Sequence, residues 1–121
     1  MESNRCNFEQ SKALKALGYK GKTKHFFKNG LAEESYYEWD KNDHREWLCT
    51  RPTVSDAIRW FRVERGMFGW VEANWYVEGF QFLFSIGTSF YPWKQTFEGF
   101  KSPDEAENAL LNRLIEISNQ V

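Results

Sequence analysis

The stretch from Pro52 to Gly66 constrains this chain more than any other, because it marks both ends of one helix. Thr53 suits the N-cap, and Asp56 sits at the third helical position, a Thr-x-x-Asp relative of the capping box. Pro52 disfavours helical backbone at Arg51, so the helix begins no earlier. Gly66 suits the left-handed conformation that closes the far end. Between these marks, Val54, Ala57, Ile58 and Phe61 fall within about 100° of arc and predict a single buried stripe. Strand-like sequence on both sides predicts sheet packed against it.

The first helix is expected from Asn7 to Gly18. Asn7 caps, Gln10 completes a capping box, and Gly18 stops the helix. Ala13, Leu14 and Leu17 form its predicted apolar stripe, with Ala16 on the flank and Tyr19 packing back beneath. Asn29-Gly30 between Lys24–Lys28 and Leu31–Trp39 is a hairpin signal, because both residues suit the positive φ values of a type I′ turn. In the second arm Leu31, Tyr37 and Trp39 share one alternating phase, and Glu34, Tyr36 and Glu38 share the other. Glu46 to Thr50 reads as a third short strand after a polar turn.

After the central helix, Met67 to Val77 alternates as a strand with Val71, Ala73, Trp75 and Val77 in one phase, and Glu78-Gly79 turns the chain. Phe80, Phe82, Phe84 and Ile86 alternate with Gln81, Leu83 and Ser85 in the cleanest strand. Tyr91 to Phe97 reads as the last, with Pro92 suggesting an edge or an irregular start. Ser102-Pro103-Asp104-Glu105 opens the final helix: Ser102 caps, Pro103 suits the first position and Glu105 answers the cap. Its predicted stripe is Ala106, Ala109, Leu110, Leu114 and Ile117, widened by Leu111 and Ile115. The order is α-βββ-α-βββ-α, three helices with hairpin-linked antiparallel strands, which is an α+β fold. At 121 residues, with no linker composition anywhere, the length reads as a single domain, 1–121.

Three blocks carry a resemblance. They are Glu9 to Tyr19, Arg51-Pro52-Thr53 through Ala57 to Arg62, and Ser102 to Ala106 through Leu114-Ile115. Together the chain resembles a group of small uncharacterised proteins of gut Bacteroidetes-type genomes, their prophages and mobile elements. The resemblance implies a shared fold and a phage or mobile-element origin. It implies no activity and no catalytic residues, and this chain departs from it in the aromatic density of its middle strands.

Chemical signatures are sparse. Gly66 to Gly69 lacks the Lys-Ser/Thr pair of a phosphate loop, and there is no Cys-x-x-Cys or His-x-x-x-His zinc spacing. Pairing of the first three strands would bring His25, His44 and Cys49 together, with Asp43 nearby, but neither a metal nor another cofactor is expected. His44 and Cys49 lie about 16 Å apart along a strand, too far for a nucleophile and its base. Cys6 and Cys49 read as reduced thiols. The polar start, Met1 to Asn7, leads into no apolar run, and no run of about 18 apolar residues follows, so a cytoplasmic protein with no membrane association is expected.

Two features remain. Trp, Tyr and Phe make up 18% of the chain, too many for the alternating core positions, so some rings must be exposed. Tyr36, Tyr37 and Trp39, among Glu33, Glu34, Glu38 and Asp40, are the candidate protein-binding residues; as strand neighbours, Tyr36 and Tyr37 are expected to face opposite ways. The net charge of −1 also hides an asymmetry: Arg5, Lys12, Lys15, Lys20, Lys22, Lys24 and Lys28 stand against Glu9 alone in the first segment. Lys12, Lys15, Lys20 and Lys22, with Arg59 and Arg62 on the central helix, are the candidates for the alternative, nucleic-acid binding. The leading expectation is a non-catalytic interaction module that binds another protein or its own copy.

Overall fold

A computed structural model describes residues 4–43, 45–76, 79–88 and 94–119, with the side chains of residues 39, 76, 79, 80, 88, 94 and 95 outside the description. The expectations placed on His44, Val77, Glu78, Tyr91, Pro92 and Trp93, and on the side chain of Trp39, therefore lie outside the described residues. The element order is α1 (Phe8–Leu17), β1 (Thr23–Lys28), β2 (Leu31–Trp39), β3 (Leu48–Thr50), α2 (Val54–Arg65), β4 (Met67–Tyr76), β5 (Gly79–Thr88), β6 (Lys94–Phe100) and α3 (Pro103–Asn119). This is the α-βββ-α-βββ-α order of an α+β fold, with two three-stranded antiparallel sheets, β2-β1-β3 and β4-β5-β6. The chain forms two compact units, residues 1–56 and 57–121, and the boundary falls inside the first turns of α2.

In the first unit, α1 opens on a complete capping box: the Asn7 side chain accepts from the Gln10 amide at 2.8 Å, and the Gln10 side chain accepts from the Asn7 amide at 2.9 Å. Gly18, at φ 96°, closes the helix. The buried face is Gln10, Ser11 and Leu14, rather than the predicted Ala13, Leu14 and Leu17. Gln10 can turn inward because the capping box satisfies its amide, and Ser11 is small enough to follow it. Asn29 and Gly30 both have positive φ, 53° and 79°, as the type I′ turn requires. The extended residues before α1 run beside those before α2: Arg5 bridges Thr53, and the amides of Cys6 and Val54 donate to the carbonyls of Pro52 and Asn4.

In α2, Val54, Ala57, Ile58 and Phe61 are all buried, as their spacing predicts. In the second unit α3 packs across β4 and β5. Its buried residues are Ala106, Leu110, Leu111, Leu114 and Ile115, while Ala109 and Ile117 are only half-buried, so the buried face is turned toward the flank of the predicted stripe. Contact between α3 and the sheet depends on Gly69: a Cβ built there would lie 2.6 Å from Leu110 Cδ1. Gly69→Ala is expected to cost about 1–3 kcal/mol by overpacking. Combined with Leu110→Ala it should cost less than the two changes add up to, as read by chemical denaturation.

Alternation in β5 holds only for its apolar phase. Phe84 and Ile86 are buried, but so are Leu83 and Ser85 in the other phase, on β5, the central strand of its sheet. The buried Ser85 hydroxyl is satisfied across the strand by Thr96 at 3.1 Å. β6 carries one extra residue opposite Leu83, with Gly99 at φ 95°, and that bulge brings both Phe97 and Phe100 onto Phe84, at 4.7 and 5.5 Å.

Candidate functional site

β2 is an edge strand of the first unit, and its described side chains from Leu31 to Glu38 are exposed except Ser35. Its pairing with β1 is regular from Leu31 to Glu34 and then slips. His25 pairs with Glu34 and Thr23 pairs with Trp39, so the single residue Lys24 faces four residues, Ser35 to Glu38. The slip is a large bulge of four residues against one, and it decides where the tyrosines go. The Ser35 hydroxyl closes it, reaching the carbonyl oxygens of Lys24 at 3.2 Å and Tyr37 at 2.7 Å.

Within the bulge the period-two alternation is lost. Tyr36 and Tyr37 do not face opposite ways, as strand geometry predicts: their rings meet edge to face, with centroids 4.8 Å apart and planes at 81°. They are 83% and 73% exposed. Leu31 and Trp75 are also well exposed, but among the described residues Tyr36 and Tyr37 are the exposed ring pair. Glu33, Glu34 and Glu38, their acidic neighbours on β2, are exposed as well. Asp40 is half-buried, and its carboxylate accepts from the Asn42 amide at 2.9 Å. Trp39 ends the strand where pairing resumes, and its side chain lies outside the described residues.

The foot of the bulge is held by Lys41, which sequence reading passed over as one charge in a polar turn. Lys41 is fully buried. Its ammonium donates to the Thr23 carbonyl at 2.7 Å and lies 5.2 Å from the centre of the Phe26 ring, while its amide donates to Thr50 Oγ1 at 3.1 Å. Asn42 extends the tie, accepting from the Thr50 amide and donating to the Tyr19 carbonyl, each at 2.8 Å. The turn after β2 is thus fastened to β1 and β3 beside the residue at which the register slips. Burial pushes the Lys41 ammonium below its ordinary 10.5.

The basic candidates divide. Lys12 lies 3.7 Å from the Glu9 carboxylate and 5.2 Å from the centre of the Phe8 ring. Lys15 is half-buried and donates to the carbonyls of Arg45 and Leu48, so its charge fastens the turn before β3. Lys20 and Lys22 are exposed. Arg59 and Arg62, also exposed, belong to the second unit.

Asp43 is held by Arg45 through paired contacts to Nε and Nη2. Cys6 and Cys49 are free and buried, and burial raises both thiols, Cys6 to about 12. A thiol so placed stays protonated and unreactive at neutral pH. Among the described residues, no three His, Cys, Asp or Glu side chains are grouped to hold a metal ion.

Fold and site define an α+β protein in which an exposed aromatic pair is displayed on a bulged edge strand. No family model, curated protein or solved structure matches this chain significantly. Among the described residues no helix is long and apolar enough to cross a membrane.

Proposed function

We propose that this protein is a non-catalytic interaction module that binds a basic protein segment through the β2 bulge. One observation carries the reading: Tyr36 and Tyr37 are paired edge to face, 83% and 73% exposed, on a strand whose Glu33, Glu34 and Glu38 are exposed as well. Rigid aromatic rings supply contact area at little entropic cost, and carboxylates around them favour lysine- or arginine-bearing partners by charge. The straight part of β2, Leu31 to Glu34, presents an open strand edge along which an extended segment could pair. A second copy of the chain, with its lysine-rich first segment, meets the same chemical description. An accessory role of this kind is in keeping with the resemblance to small proteins of prophages and mobile elements.

The alternative, nucleic-acid binding, is less well supported, since Lys12 and Lys15 already have partners within the fold.

The test replaces both tyrosines by alanine. The double variant should fold with unchanged circular dichroism, since neither ring is buried. It should bind an extended lysine-rich peptide, or a second copy, at least about fivefold more weakly, the loss of one hot spot of about 1 kcal/mol. Affinity of the parent should fall as salt rises. Unchanged peptide affinity and unchanged sedimentation would remove β2 as the interface.

A further inference from the structure

A second cluster in the first unit begins at His25, where the regular pairing of β1 with β2 ends, and is cationic. Residues 51–53 continue β3 as extended chain, with the Arg51 amide donating to the His25 carbonyl at 3.0 Å on one side and Thr53 bridged to Arg5 on the other. The register therefore sets Arg5, Arg51 and His25 on neighbouring strands and one sheet face. All three side chains are half-buried.

Arg51 is held in place. Its guanidinium stacks 5.1 Å from the centre of the Phe27 ring, and its Nε donates to the Cys6 carbonyl at 2.9 Å. Arg5 leans on the same strand, its Nη1 within 3.4 Å of the Arg51 carbonyl. Among the described residues no ion pair engages either guanidinium, whereas Lys12, Arg45 and Arg113 each have one. Glu34, paired with His25 across the strands, and Asp56, in the first turn of α2, are the carboxylates that act on this neighbourhood, and both are exposed. Chain leading into α1 and chain leading into α2 run side by side here. Burial, then Arg5, holds the His25 imidazole below its ordinary 6.5, with Glu34 acting in the opposite direction.

We propose that Arg5, Arg51 and His25 form a binding site for a phosphate monoester. Two guanidinium groups offer forked donors to a tetrahedral dianion, and the imidazole offers a third donor that gains its proton when the anion arrives. Half-burial strengthens that attraction relative to bulk water. The stacked, hydrogen-bonded Arg51 is oriented in advance, so little rotamer freedom is lost on binding.

The test follows the His25 ring resonances by NMR against pH, with inorganic phosphate or chloride at matched ionic strength, and with His44→Gln to assign the signals. Phosphate should raise the His25 pKa and saturate at about 1 mM or below. Arg51→Gln should weaken phosphate binding at least tenfold, and so should Arg51→Lys, which keeps the charge but loses the fork and guards against a folding defect. The site is overturned if phosphate leaves the His25 titration where chloride does, or if Arg51→Lys binds phosphate as the parent does. Acetate binding as tight as phosphate would overturn the phosphate assignment.

Discussion

Phe61→Ala is expected to destabilise the protein by about 3–5 kcal/mol, the cost of removing a large ring from a filled site. Phe61 is fully buried in α2, and Val54 and Ala57 beside it are equally closed to water. The ring also packs edge to face against Trp60, at 5.0 Å, so its loss removes an aromatic contact as well as a volume. The measurement is chemical denaturation of parent and variant at one temperature. A midpoint unchanged within error would mean that the stripe from Val54 to Phe61 contributes nothing, which its burial contradicts.

The second large effect is alkaline. Burial raises the Cys6 thiol from its ordinary 9.0 to about 12, so the folded protein keeps a proton that the unfolded chain releases. The stabilisation is therefore complete below pH 9 and is lost as pH rises through the interval up to about 12. Each tenfold in proton affinity is worth about 1.4 kcal/mol, so this thousandfold gap amounts to about 4 kcal/mol at the far end. Tyr19, raised from 10.0 to about 12 by burial and then by Asp56, acts in the same direction and begins later. Lys41 opposes both: its proton is held less tightly when folded, so its burial costs less as pH approaches 10.5. Cys6→Ala should flatten the fall in stability between pH 9 and 11, whatever it costs at neutral pH. An identical slope in parent and variant would show that the Cys6 thiol ionises as readily folded as unfolded.

Elements and their ends were legible because local signals fix them. Asn7 with Gln10, Asn29-Gly30, Thr53, Gly66 and Ser102 with Glu105 each act through atoms a few residues apart, and each does its expected work here. The Ser102 hydroxyl accepts from the Glu105 amide at 3.1 Å, and the Thr53 hydroxyl accepts from the Asp56 amide at 3.1 Å. The division within α2 was not legible, because no change of composition marks it.

The candidate site was half legible. Tyr36 and Tyr37 stood out as rings in excess of the core, and both are exposed. That they meet could not be read from the chain, since alternation separates neighbours and only a slip against Lys24 joins them. The fates of Lys12 and Lys15 were equally hidden. A lysine three residues before a helix stop looks solvated until the carbonyls of Arg45 and Leu48 are brought to it.

By itself, then, the sequence determined the order of helices and strands, the capped helix starts and the α+β class, because caps, turns and periodicity are short-range physics; it misplaced the bounds of β3 and β6. Tertiary structure alone decided the rest. It chose which flank of α1 and α3 is buried, put Lys41 out of water beneath the bulge, and gathered Arg5, Arg51 and His25 from positions up to 46 residues apart. Those outcomes depend on register and on through-space desolvation, which couple residues the chain keeps far apart.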